Sequence, residues 1–138
     1  MPAPRTTTRQ VAPRRIPVPK KLPAIGAAFA GGLYAGLTLH DGKLHALVLL
    51  PGERESVDWK TATAWAKRKR GVLPSRFDQL VLFDGLKGQF QADWYWSGTR
   101  HAGDESYAWS QLFLSVYQYG SIKSSQLRAR AVRRIPIQ

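Results

Sequence analysis

No cysteine occurs anywhere in the chain. That absence excludes disulfides, thiol nucleophiles, cysteine-ligated zinc and iron–sulfur clusters, so packing and hydrogen bonds alone must hold the fold. Histidine is nearly as scarce, limited to His40, His45 and His101. His40 and His45 flank a turn and His101 falls in a polar stretch, and no sequence-local acid–base or metal-ligand arrangement includes them. Acids are also few, 9 against 21 Lys and Arg. The pairs Glu53/Glu55 and Asp104/Glu105 read as solvated loop residues rather than a catalytic dyad. No apolar run approaches the roughly 20 residues of a membrane span, and the N-terminus lacks the charged-then-apolar layout of a secretory signal. The expectation is a protein that is not an enzyme, uses no metal or cofactor, meets no membrane, and is made in the cytoplasm.

What is present is a globular composition with a strong positive charge. Hydrophobic residues make up 43% of 138, with five tryptophans, enough for one ordinary core. The net charge of +12 is unevenly spread. Arg5, Arg9, Arg14, Arg15, Lys20 and Lys21 lie in a proline-rich, acid-free stretch over residues 1–23. Such a stretch cannot build a core. Its prolines favour extended backbone, with a reach on the order of 70 Å at about 3.1 Å per residue. The sequence therefore divides into a basic arm, 1–23, and a single domain, 24–138.

Within the domain, apolar runs flank Asp41-Gly42, a strong hairpin signal, and predict a β-hairpin over about 33–50. Trp59, Ala62, Trp65 and Ala66 recur at helical spacing behind Asp58, a natural N-cap. Gly71 stands where a C′ glycine belongs, so the helix should span 59–70. Lys67, Arg68, Lys69 and Arg70 then fall in its last turn, where cations complement the helix dipole. A second helix is expected to open at Ser75, with Asp78 at capping-box spacing and with Phe77, Leu80, Val81 and Phe83 buried. From Phe90 the period changes to two: a strand over Trp94–Ser97, a polar loop at 98–106, and β structure from Tyr107 to Tyr119. In that last run Leu112, Leu114 and Val116 should face one side, and Gln111, Phe113, Ser115, Tyr117 and Tyr119 the other. A terminal strand at 127–135 completes an α+β domain.

Several motifs occur in an order that resembles the Lcl C-terminal-like family, a variant of the C-type-lectin fold. They are Trp59 with Ala62, Leu73-Pro74-Ser75, Tyr95-Trp96-Ser97, Ala108-Trp109 with Phe113, and Ala129-Arg130-Ala131-Val132-Arg133. The resemblance implies a C-type-lectin-like domain of antiparallel strands and two helices, with the early hairpin and the terminal strand adjacent. Many members carry a cysteine near the end of the first helix and another in the terminal strand. Those positions correspond to Ala66 and Ala131, which the resemblance therefore places close together. The oxygen-rich calcium motifs of sugar-binding C-type lectins are missing. The cysteine chemistry of the related formylglycine-generating oxidases has no residue to perform it.

Proteins of this kind are often phage-associated or surface adhesins. The resemblance thus implies a non-catalytic binding or structural module. The expected setting is a phage virion component at a tail tip, on a fibre or decorating a capsid, anchored by its arm within a larger assembly that could be homo-oligomeric. The partner would be another virion protein or a host surface receptor. The residues expected to meet it are Tyr95, Arg100, His101, Asp104, Gln111, Tyr117, Gln118 and Tyr119, amphipathic and charged groups suited to interface anchoring. Trp96 and Trp109 are expected in the core. The rival reading is a cytoplasmic nucleic-acid-binding accessory protein, supported by a pI near 10.6 and basic clusters at 5–21, 67–70 and 128–134. A secreted adhesin would need an export signal.

Overall fold

A computed structural model describes residues 22–137. The arm's six cations, Arg5, Arg9, Arg14, Arg15, Lys20 and Lys21, lie outside the described residues. The hairpin forms as its turn chemistry dictates. Strand β2, Gly32–His40, pairs antiparallel with β3, Lys43–Leu49. Both turn residues have positive φ, 52° at Asp41 and 74° at Gly42, as a two-residue type I′ turn requires. The short β1, Ala28–Phe29, adds to one edge, and β9, Val132–Pro136, adds antiparallel to β3. The last strand thus closes the same sheet that the first strands open. The second sheet has the order β4-β8-β5-β6-β7. Its strands are β4 Arg54–Val57, β5 Trp94–Arg100, β6 Tyr107–Leu112, β7 Gln118–Ile122 and β8 Leu127–Ala129. All pairs are antiparallel except β5 with β8. Two helices stand between the early hairpin and β5, and the domain is α+β.

Helix α1 spans Trp59–Arg68, and the Asp58 carboxylate accepts from the Thr61 N–H at 2.8 Å. Helix α2 spans Arg76–Leu86 behind a complete capping box: Ser75 Oγ accepts from the Asp78 N–H, and Asp78 Oδ2 accepts from the Ser75 N–H. Alternation then divides the core. Tyr95 faces a cluster with Ala35, Leu47, Leu49, Leu82, Leu86 and Phe113, while its neighbour Trp96 faces another with Val48, Val57, Ala62 and Ala108. Ala66 and Ala131 are both fully buried in the Trp96 cluster.

Five expectations need correction. The left-handed residue that ends α1 is Arg70, φ 61°, and not Gly71. The Arg70 N–H donates to Lys67 O and the Gly71 N–H to Ala66 O, a Schellman ending that puts Gly71 one place further on. Gly71 is required for a different reason. A Cβ there would lie 2.5 Å from Val132 O and 2.6 Å from Leu50 Cδ1, so α1 could not leave this close to β9.

The buried face of α2 is also rotated from the expected one. Asp78, Gln79, Leu82 and Leu86 are buried, whereas Phe77 and Leu80 are 45% and 40% exposed and Val81 and Phe83 are half-buried. Two polar residues take inward places because partners from distant strands await them.

Third, the run 107–119 is not one strand. It reverses after Leu112, whose N–H donates to Tyr117 O, and Gln111 then pairs with Gln118. Phe113 stays buried, its ring centroid 4.0 Å from that of Phe90, but Leu114 and Val116 lie exposed in the turn, so the expected alternation breaks. Fourth, β5 continues through Arg100, and only 101–106 form the loop. Fifth, the run 127–135 is two strands: the chain crosses between sheets at Arg130-Ala131, so β8 and β9 belong to different ones.

These positions predict opposite effects at adjacent residues. Arg70→Gly should raise stability by about 0.5–1 kcal/mol by relieving the left-handed backbone. Gly71→Ala should lower it by about 1–3 kcal/mol through overpacking. Urea unfolding of the two variants checks both signs.

Candidate functional site

The eight residues expected to meet a partner do not form one surface. Tyr95 and Gln111 are buried, which corrects their assignment to an interface. The Tyr95 hydroxyl donates to Glu53 Oε1 and accepts from the Gln91 N–H, both at 2.8 Å. Burial first, then the neighbouring Glu53, pushes its pKa far above the usual tyrosine range. Glu53 also meets Arg128 at 2.7 Å, and Arg128 reaches Asp93 at 3.0 Å. Gln111 belongs to an amide relay. Gln79 Nε2 donates to the Tyr95 and Trp96 carbonyls, and Gln111 Nε2 donates to Gln79 O. Gln118 Nε2 in turn donates to Gln111 Oε1 and Arg76 O, and Arg76 Nε donates to Gln118 Oε1. This relay ties α2 to β5, β6 and β7. Gln118 is half-buried within it and its amide is already committed.

Arg100, His101 and Asp104 gather at one end of the β5–β6 pair. The His101 ring stacks on Trp109, centroids 5.1 Å apart, and the Arg76 guanidinium lies 3.6 Å from the Trp109 centroid. Trp109 is therefore half-buried packing, not deep core. His101 Nδ1 accepts from the Gly103 N–H, so its neutral ring carries the proton on Nε2. Asp104 accepts from the Ser106 hydroxyl at 2.6 Å and from its N–H at 2.9 Å. The hydroxyl, then the N–H, holds this carboxyl below its ordinary pKa. Asp104 builds its own turn.

Tyr117 and Tyr119 lie at the opposite end, 56% and 55% exposed. Their rings are 5.1 Å apart, and Tyr119 stacks on Trp94 at 5.7 Å. Leu114 and Val116, both exposed, complete an apolar tip on the β6–β7 hairpin. Trp94 and the turn residues joined this tip without being singled out in sequence. The missed signal is that Trp94 pairs with Leu112, the residue at which the chain reverses.

A second feature is a groove of about 620 Å³ between α1 and the end of β5. One helix face supplies Trp59, Thr63 and Lys67, spaced four apart; β5 supplies Arg100, β9 supplies Arg134 and β2 supplies His40. Trp59 is fixed by its indole N–H donating to Ser97 O at 2.8 Å. The Arg100 and Lys123 cations lie 5.7 and 4.8 Å from its ring. A shallower cleft of about 300 Å³ adjoins it, sharing His40, Gly71, Val72 and Arg134 and adding His45, Arg70 and Arg133. Among the described residues, no group of three or more His, Asp or Glu is arranged to hold a metal ion, and no helix is long and apolar enough to cross a membrane.

Compared with known proteins, the chain matches no protein-family model and no curated protein.

The contrast between relay and tip predicts a separation of effects. Gln111→Leu removes the buried donor to Gln79 O and the acceptor of one Gln118 N–H and should cost about 1–3 kcal/mol. Tyr119→Ala removes one exposed aromatic stack and should cost less than about 1.5 kcal/mol. Chemical denaturation of each variant, monitored by near-UV circular dichroism, checks the ranking.

Proposed function

We propose that this chain is a non-catalytic binding module of a virion, with a C-type-lectin-like domain held in the particle by residues 1–23. The observation that carries the binding role is the exposed tip of Leu114, Val116, Tyr117 and Tyr119, with half-buried Trp94 stacked on Tyr119. Tyrosine and tryptophan are enriched among interface residues that dominate binding energy, because they offer large, rigid contact area with a polar edge. The tip sits on a hairpin braced from behind by the glutamine relay and by stacked Phe90 and Phe113. The partner is another virion protein or a host surface receptor. It meets the tip, while the basic arm joins the chain to its assembly.

Two features support the fold resemblance. The early hairpin and the terminal strand share a sheet with both helices between, and Ala66 and Ala131 share one buried cluster. An oxidised Ala66→Cys/Ala131→Cys variant should form an intrachain disulfide, scored by loss of free thiol, and gain about 2–4 kcal/mol of stability. Persistent free thiols would count against the alignment on which the resemblance rests.

The assembly role has its own test. Deleting residues 1–23 should leave a folded domain that no longer joins the particle. A Tyr117→Ala/Tyr119→Ala variant should still join it, yet lose about 2 kcal/mol or more of partner affinity, tens-fold in Kd. Particle occupancy by quantitative gel and partner binding by surface plasmon resonance separate the two. Normal occupancy of the truncated chain would overturn the anchoring role.

A further inference from the structure

The groove between α1 and β5 shares no residue with the aromatic tip, and its composition is one-sided. Its cations are Lys67, Arg100 and Arg134, with His40 at the rim, and the adjoining cleft adds Arg70 and Arg133. No Asp or Glu lines either cavity. Acids beside the lining residues are already engaged: buried Asp78 takes Arg134 Nε at 3.2 Å, exposed Asp41 lies 3.5 Å from His40, and Asp58 caps α1 through the Thr61 N–H. Among the described residues, Lys67, Arg70, Arg100, Arg133 and Lys123 have no carboxylate within ion-pair distance. Elsewhere the fold does pair its cations, as Arg128 with Glu53 and Asp93 shows. Like charges gathered in a concavity raise the local potential and attract an external anion.

We infer that the groove and its adjoining cleft bind the phosphodiester backbone of a single-stranded nucleic acid. The shape selects an extended ligand. Arg100 and Lys67 line the groove, Arg134 is shared at its junction with the cleft, and Arg70 and Arg133 line the cleft, so a lone phosphate could meet only part of the set. Half-buried Trp59 adds an aromatic surface within the cationic path. A positively charged groove with an aromatic wall is the combination that single-strand binders use, the cations following the phosphates and the ring accepting a base. An acidic peptide would satisfy the charges but brings no planar base to the ring, whose present neighbours are the Arg100 and Lys123 cations.

The test uses the full chain, arm included, and a fluorescent oligothymidine of about 12 nucleotides, within the range of single-strand site sizes. Lys67 and Arg100 are exposed, so Lys67→Glu/Arg100→Glu leaves the core untouched. Lys87→Glu/Gln91→Glu makes a comparable charge change, three units against four, at exposed positions outside both cavities. Anisotropy titrations should show the groove variant weakened by about tenfold or more, with the slope of log Kd against log salt reduced by about 1.4, the value for two lost phosphate contacts. The control pair should change affinity by less than about threefold, the screened effect of distant charge. Photocrosslinked peptides should include residues 59–67. Equal weakening by both pairs, or crosslinks confined to residues 1–21, would overturn the groove site. Polyglutamate bound as tightly as the oligonucleotide and equally sensitive to the groove variant would overturn nucleic acid as its ligand.

Discussion

The Asp78 carboxylate is fully buried, and three parts of the chain converge on it. Oδ1 accepts from the Thr38 hydroxyl of β2 at 2.5 Å. Oδ2 accepts from the Ser75 N–H at the start of α2 and from Arg134 Nε of β9. A buried carboxylate is costly unless it is paired and its oxygens are bonded, and here both conditions are met. The arrangement fixes the rotation of α2 about its own axis and its position over the first sheet. Once Asp78 points inward, Gln79, Leu82 and Leu86 must follow it on the same helical face. Gln79 then starts the relay that aligns β5, β6 and β7, while Arg134 is held with one edge in the basic groove.

The scarcity of acid acquires a meaning in this light. Asp58 caps a helix, Asp78 anchors α2, Glu53 and Asp93 hold Arg128, and Asp104 builds its loop. Most of the acids are thus committed to hydrogen bonds or ion pairs within the domain. Five cations, Lys67, Arg70, Arg100, Arg133 and Arg134, line the groove and its adjoining cleft, while the β6–β7 tip carries apolar and aromatic groups. One small domain presents two chemically unlike faces because each is built on a different edge of the same framework.

The features legible in the sequence were those closed within a few residues. Asp41-Gly42 states its own turn type, and Asp58 and Ser75 each cap a helix through a donor three positions on. The α+β class followed from such local signals and from the change of period after Phe90. The misplaced features depend on remote partners. Glycine tolerates the left-handed turn best, so the sequence points to Gly71, but the close passage of Val132, 61 positions further along the chain, reserves the glycine for position 71 and leaves Arg70 to take the strain. Phe77 and Leu80 looked like core by hydrophobicity, yet Thr38 and Arg134 draw Asp78 inward instead.

The candidate sites divide in the same way. Tyr117 and Tyr119 were readable as contact residues, since aromatic side chains beside a chain reversal remain outside. Tyr95 and Gln111 have the same amphipathic character but opposite surroundings, because Glu53 and Gln79 satisfy their polar atoms in the interior. The sequence by itself determined the turns, the caps, the strand periods and the excess of positive charge, all of which depend on neighbours along the chain. Only the tertiary structure decided which polar groups are buried and which cations share a groove, because those outcomes depend on hydrogen-bond partners and charges brought together from distant segments.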